Sequence, residues 1–316
     1  MVIGIPQALA YHYFYPLWRT FFTELGIEIK TSGLTDRCKL DLGLRIAPSE
    51  ACLPLKCYLG HILSLVNNVD TIFVPRLVCL KKNPKTKLGC PKFIGLPDMC
   101  RALIPEARFI TLDIDLRRQE EGASFRDMAK KLGRDSSQGK DAYQKGLEEM
   151  KKHKEMKFLK NRELTSAQQI AIGLLGHAYL LEDYYLNLNL VKKLIDWDCL
   201  IIDGHNLSID IEKELDGIKP LSWFFEEEIL AMASRFFHTD GLSGIVYLTS
   251  FGCGASSITN EIMELEIRGN SDVPLLRIIL DEHTGEAGMI TRLESFVDMI
   301  RLKNREREKG VKGEVS

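Results

Sequence analysis

Short apolar runs alternate with amphipathic helical stretches along most of this chain, and that alternation leaves few folds open. Strands joined through helices cross over to pair in parallel, so the pattern predicts an α/β protein with helices on the faces of its sheets. In the first half VIGIP reads as a strand; the next stretch puts Phe14, Leu17, Phe21 and Leu25 on one helix face closed by Gly26, and IEIK is again strand-like. LGLRIA, TIFVPRLV and FITLD read as further strands. The pattern restarts at Gln168 with QQIAIGLLGH, followed by a helix through NLNLVKKLI, the strand CLIID, a helix around FFEEEILAMASRFF, then GIVYLTS and PLLRIILD. A last helix carries Ile290, Leu293, Phe296, Val297 and Ile300 on one face. Both halves open with a strand and an aromatic-rich loop, IGIPQALAYHYFYPLW and IGLLGHAYLLEDYYLN. The expected architecture is two doubly wound, Rossmann-like or flavodoxin-like units facing a shared crevice.

Between the halves the residues change character. The dense mixed charge of RRQEEGASFRDMAKKLGRDSSQGKDAYQKGLEEMKKHKEMKFLKNRE has helical spacing, which suits helices outside the sheets: a solvated arm, or a docking face around the basic run KKHK. The organisation read from these shifts is an N-terminal α/β domain over 1–116, a charged helical connection over 117–166, a C-terminal α/β domain over 167–303 and a flexible tail over 304–316.

Three cysteines carry the chemistry. Cys52, Cys90 and Cys253, in EACLPLK, GCPKFIGLPD and TSFGCGASS, each sit in a Gly/Pro turn just ahead of a helical pattern. A helix N-terminus points unpaired N–H groups and the positive end of its dipole at such a residue, which favours the thiolate that a metal or an iron–sulfur cluster requires. Packing as small hydrophobes is the other reading, and the absence of any CxxC pair leaves it open. Cys57 and Cys100 fall inside helical patterns, Cys199 opens CLII and Cys38 lies in a polar stretch, so these four read as packing or passive thiols; Cys79, after TIFVPRLV, is the rival ligand.

Two further strings follow strands at the end of the sheet where α/β folds bind ligands. GHAYLLEDYY brings His177, Tyr179 and Asp183; DEHTGEAG brings Asp281, Glu282, His283, Thr284 and Glu286, with Thr291 and Glu294 available to cap the next helix as T-x-x-E. Polar residues solvating a turn are the alternative for both loops. His61, in LGHIL, reads as a satisfied core or surface histidine.

The 316-residue chain is 45% hydrophobic, with a net charge of −2 and a mean hydropathy of −0.08. That composition suits a globular protein with no general attraction to nucleic acid or anionic membrane. Met1 leads straight into VIGIP without a charged and then apolar leader, and the expected location is cytoplasmic, where scattered cysteines serve as thiols or metal ligands. No G-x-S-x-G, P-loop or G-x-G-x-x-G occurs in the strand-to-helix context those motifs need, so hydrolase, nucleotide-phosphate and dinucleotide functions lack a motif.

Taken together, GIPQALAYHYFYPLW, EACLPLK, Gly60–His61, IFVPRLV, CPKFIGLPDM, GHAYL, YLNLNLVKKL, GIVYLTSFGCG and LDEHTGEAGMITRLESFVDMI resemble the acyl-CoA dehydratase activase-related proteins, which belong with the 2-hydroxyacyl-CoA dehydratase and benzoyl-CoA reductase superfamily. The resemblance implies a cluster, 4Fe-4S in type, held by Cys52, Cys90 and Cys253, the trio already singled out by turn chemistry. It also implies a partner ATPase activase, a related dehydratase-like subunit, a CoA thioester as substrate, and membership of a dehydratase (lyase) or ATP-driven reductase system for low-potential electron transfer. In that setting His177, His283 and Glu286 become candidate catalytic residues, and Tyr179, Asp183, Asp281, Glu282 and Thr284 candidate substrate contacts. Gln7 stands where the family has arginine, and Ala255 and Ser256 where it has proline and aspartate, so contacts at those turns depart from the family pattern. A non-catalytic accessory or assembly module with the same fold is the second function class. A structural zinc protein, a third, lacks paired cysteine spacing.

Overall fold

The structure, a computed structural model, describes residues 1–83, 85–162, 170–269 and 271–313. In the first unit β1 (Val2–Ile5) leads through α1 (Tyr11–Glu24) to β2 (Glu28–Thr31), then α2 (Arg37–Ile46), α3 (Leu53–Leu65) and β3 (Thr71–Phe73). There follow β4 (Arg76–Lys81), β5 (Lys87–Leu88), α4 (Pro91–Leu103), β6 (Phe109–Ile110) and β7 (Asp113–Asp115). Four parallel strands form a sheet in the order β2-β1-β3-β6, and α1 turns Leu17, Trp18, Phe21 and Phe22 into the core.

Three strand expectations need correction, the first being FITLD, which is not one strand: Phe109–Ile110 pairs with β3 as β6, and Asp113 opens β7 in a different sheet. LGLRIA lies in helix α2: the Asp36 side chain caps it by accepting from the Lys39 N–H at 2.9 Å, and Leu40 and Gly43 face α3. TIFVPRLV is not one strand. It divides at Val74–Pro75, with β3 in the first sheet and β4 in a small separate sheet ordered β5-β4-β7, because proline has no N–H to give a ladder.

Helices α2 and α3 touch backbone to backbone. A Cβ on Gly43 would lie 1.8 Å from the Lys56 carbonyl oxygen, and one on Gly60 would lie 1.7 Å from that of Lys39. Only glycine permits this contact, which sets the tilt of α3.

The charged stretch forms α5 (Glu121–Lys131) and α6 (Ser136–Arg162), and α6 is docked along α1 and α5. Phe125, Met128, Ala142 and Tyr143 are buried in this contact, Lys145 pairs with Glu24 at 2.5 Å, and Lys157 reaches Glu182 of the second unit at 2.5 Å.

The second unit runs β8 (Ile170–Gly176), α7 (Ala178–Leu181), α8 (Leu190–Asp196), β9 (Cys199–Asp203), α9 (Ile211–Glu214), α10 (Phe224–Phe237) and β10 (Gly244–Ser250). It ends with α11 (Gly254–Ile262), which passes into a π-helical turn at Met263–Ile267, then β11 (Leu275–Leu280) and α12 (Glu286–Gly313). Its parallel sheet is ordered β11-β10-β8-β9. Numbered within each main sheet, both units have the order 2-1-3-4, so the repeated opening motif marks a repeated topology. The fold is α/β and doubly wound, as the alternation requires. Leu293, Phe296, Val297 and Ile300 bury the inner face of α12, whose backbone stays helical to Gly313, past the expected start of the tail. No described helix is long and apolar enough to cross a membrane.

The α2–α3 contact generates a prediction. Gly60→Ala should lower stability by about 2–3 kcal/mol, since the obstacle is backbone and cannot rotate away. Denaturant unfolding of the variant checks it; an unchanged midpoint would show that the helices part freely.

Candidate metal and substrate site

Cys52, Cys90 and Cys253 are the N-cap residues of α3, α4 and α11. Each has extended backbone, with φ of −66°, −66° and −91°, and none accepts a capping hydrogen bond through its side chain. No acidic residue occupies the first turn of any of the three helices. Their positive ends are therefore left unneutralised.

Tertiary packing brings the three turns to one place. Gly252, at φ +75°, rests on the Cys52 turn: a Cβ there would meet the Glu50 carbonyl oxygen at 3.2 Å and the Cys52 Cα at 3.7 Å. The Leu53 N–H donates to Ser250 Oγ at 3.1 Å, tying the end of β10 to the start of α3. Phe93, one turn after Cys90, has its ring centroid 6.5 Å from that of Tyr179. Burial raises the Tyr179 phenol, and all three thiols add to the rise, so this ring senses each of them. Cys52, Cys90 and Cys253 are free and partly accessible.

Their proton affinities differ. Burial raises Cys52 against the Leu55 N–H, and it raises Cys90 to about 11 against the Phe93 and Lys92 amides; neighbouring thiols add in both cases. Cys253 is lowered: burial resists, but hydrogen bonding to His177 and its charge prevail. His177 is itself raised to about 9, since the Glu226 carboxylate and Cys253 outweigh a large burial effect. His177 Nε2 lies 2.9 Å from Glu226 Oε1, and Nδ1 lies 3.3 Å from the Tyr13 hydroxyl. Glu226 also accepts from Ser256 Oγ at 3.0 Å and Thr259 Oγ1 at 2.7 Å, while Ser256 Oγ is 3.1 Å from Cys253 Sγ. Cys253, His177 and Glu226 thus form a hydrogen-bonded set that favours the Cys253 thiolate relative to a free thiol.

The other sequence-selected residues divide. Tyr179 stacks on His177 at 4.7 Å and belongs beside the trio. Glu282 reaches the same region because its carboxylate accepts from Lys56 Nζ of α3 at 2.6 Å. Asp281 and Thr284 mainly close their own turn: Asp281 Oδ1 accepts from the Thr284 hydroxyl at 2.8 Å and the His283 N–H at 2.9 Å. His283 is exposed, and Glu286, also exposed, pairs with Lys193 at 2.8 Å. The expected Thr291 cap is corrected. Helix α12 already starts at Glu286 behind the Asp281–Thr284 turn, and the Thr291 hydroxyl donates to the Ala287 carbonyl at 3.1 Å from within it.

Asp183 departs further from expectation. It is 5% exposed and turns away from the trio, accepting from the Tyr185 and Leu186 N–H groups at 3.1 Å each and from the Thr35 hydroxyl. Its ligand oxygen lies with Cys57 Sγ and a His61 ring nitrogen. Cys79, the rival ligand, lies inside β4, fully buried, with its Sγ 3.3 Å from the Lys81 carbonyl oxygen. Gln7 enters the hydrogen bonding through its backbone N–H, which donates to Ser32 Oγ.

Lys56, Tyr13 and Glu226 were missed by sequence reasoning. Glu226 left a signal: FFEEEIL sets acids inside an otherwise apolar helix, and Glu226 and Glu227 are buried at 2% and 7% exposure. Unsupported carboxylates there would be costly.

Two doubly wound units with cysteine turns from both meeting at one site define the class of protein. The chain belongs to the family described as CoA enzyme activase uncharacterised domain (DUF2229), whose profile matches residues 2–206. No protein of curated function matches it. Among solved structures it is similar to an FpvC mutant from Pseudomonas aeruginosa at 12% identity, covering 95% of this chain and 98% of that one with a TM-score of 0.28. ZnuA gives 9% identity, 95% and 98% coverage and a TM-score of 0.23. A UDP-GlcNAc 2-epimerase from Methanocaldococcus jannaschii gives 11%, 93% and 92%, and 0.20. Likenesses of this size carry no argument about function.

The electrostatics of the trio give a testable order. In metal-free reduced protein Cys253 should be alkylated by iodoacetamide before Cys52 and Cys90, and His177→Gln should move the pH midpoint of its modification upward. Peptide mass mapping over a pH series reads both; equal rates at the three thiols would contradict the assigned role of His177.

Proposed function

We propose that this protein is an iron–sulfur component of a CoA-enzyme system, with Cys52, Cys90 and Cys253 as the protein ligands of one cluster. The observation that carries the reading is the meeting of three N-cap thiols whose helices have no acid in the first turn. The donor set fits such a group: three free, partly accessible thiols, soft ligands for iron, under the positive ends of three helices that favour an anionic cluster. Three protein thiolates on a four-iron cluster leave one iron for a ligand from outside the protein, and the group would supply low-potential electron transfer.

The chain's own residues have definable tasks around it. His177 holds a proton beside Cys253, with Glu226 keeping that proton in place and Tyr13 fixing the other ring nitrogen. The ring of Tyr179, stacked on His177, holds that imidazole in its orientation beside Cys253. Lys56 and Glu282 fasten the DEHTGE turn to α3, leaving His283 exposed for contact with a substrate or partner. Energy for driving an electron into the site falls to an ATPase activase, since these 316 residues carry no phosphate-binding loop, and a CoA thioester is the substrate class that the family points to.

Protein prepared without oxygen should contain iron and sulfide. Serine at Cys52, Cys90 or Cys253 should each bleach its visible absorption, whereas serine at Cys38, Cys57, Cys100 or Cys199 should leave iron content near that of the parent. A cognate activase should reduce the cluster only when ATP is present. Equal iron in the triple-serine variant and the parent would sink the ligand assignment; reduction at the same rate without ATP would sink the coupling.

A further inference from the structure

Away from the trio, residues that read separately as packing, core and crevice come together. Cys57 and His61 stand one turn apart on α3, and Asp183 reaches them from the loop after α7 in the second unit. Their ligand atoms lie within 4.8 Å of one another, and the residues are 0%, 0% and 5% exposed. We propose that Cys57, His61 and Asp183 are the ligands of a second metal site, for one divalent ion of the zinc class, which clamps α3 to the second unit.

The oxygen of Thr35 marks the centre of the group. It is 2.9 Å from His61 Nε2, 3.6 Å from Cys57 Sγ and hydrogen-bonded to Asp183 Oδ2. A carboxylate only accepts, so Thr35 donates to Asp183 and accepts from the His61 Nε2–H; His61 Nδ1 then accepts from Ser32 Oγ at 2.7 Å. In this proton arrangement a carboxylate lies deep between the units, met by the Thr35 hydroxyl and the Tyr185 and Leu186 N–H groups but by no ion pair among the described residues. A buried charge without a counter-charge is expensive.

A dication changes the balance. The Cys57 thiol gives its proton to solvent, His61 moves its proton from Nε2 to Nδ1, and thiolate plus carboxylate match the charge of the ion. Ser32 Oγ, already 2.7 Å from Nδ1, then accepts from it, the outer hydrogen bond that metal-binding histidines require. One sulfur, one imidazole and one carboxylate oxygen are a zinc-type donor set, and reaching bond lengths of about 2.0–2.3 Å asks for a contraction of the three donors and a turn of the Thr35 side chain. The Thr35 oxygen now stands where the ion would sit, so binding moves it off the centre, from where it or a water supplies the fourth donor. Helix α3 also carries Cys52 at its start, so the two sites share one helix while drawing on different thiols.

The test uses the full chain with Cys52, Cys90 and Cys253 replaced by serine, so that no thiol of the first site can respond. Anaerobic titration with Co²⁺ should show one equivalent bound, with a thiolate-to-cobalt charge-transfer band and the visible bands of a four-coordinate ion. Adding Cys57→Ser should abolish the charge-transfer band, Asp183→Asn should weaken binding at least tenfold, and Zn²⁺ should displace the cobalt. Far-ultraviolet circular dichroism identifies any variant that has not folded, and zinc counted in the otherwise unaltered protein, with and without Cys57→Ser, reads the same site without removing the trio. No cobalt bound to folded protein at micromolar metal, or a charge-transfer band that survives Cys57→Ser, would overturn the proposal. Iron content is measured separately, so either site can fail alone.

Discussion

Three helix N-termini aimed at one spot, each ending in a cysteine and none neutralised by an acid in its first turn, are the constraint around which the structure is organised. Such an arrangement repels cations and concentrates positive potential where the thiols stand. Burial, with a smaller push from neighbouring thiols, raises the proton affinity of Cys52 and Cys90. Among the three only Cys253 has its proton affinity lowered, by the hydrogen bond and charge of His177, so it is the thiol that gives up its proton most readily.

The two-unit fold is what makes that convergence achievable. Cys52 and Cys90 precede helices of the first unit and Cys253 follows β10 of the second, so the site exists only while the units hold their mutual position. Several contacts hold it: Gly252 seated on the Cys52 turn, Leu53 bound to Ser250, Lys56 to Glu282, Tyr13 to His177, and Lys157 to Glu182. Most of these link the carboxyl ends of the strands in one unit to helices in the other, which is the crevice geometry expected of doubly wound sheets.

Much of this was legible because it is local. Turn chemistry ahead of a helix is written in adjacent residues, so the N-cap positions of Cys52, Cys90 and Cys253 followed from Pro54, Pro91, Gly252 and the apolar patterns behind them. The repeated opening of the two halves pointed to two doubly wound units, and their sheets share one strand order. What failed was decided by partners far along the chain. LGLRIA has strand-like residues, but the Asp36 cap and the glycine contact with α3 hold it as helix. The T-x-x-E string at Thr291 was a sound cap in isolation, displaced because Asp281 and Thr284 close a turn that starts α12 earlier. Asp183 pointed to a crevice by its position after a strand, yet Thr35, from another unit, draws it inward. Lys56 and Glu226 acquire meaning only from Glu282 and His177, neither of which is near in sequence.

The central claim is that the three thiols hold a single group. Anomalous diffraction at the iron edge from crystals grown without oxygen tests it most directly. One iron-rich peak is expected in contact with the Sγ atoms of Cys52, Cys90 and Cys253, adjoining the His177–Tyr179 stack. Iron absent from that point, or bound through other side chains while these three thiols remain free, would contradict it.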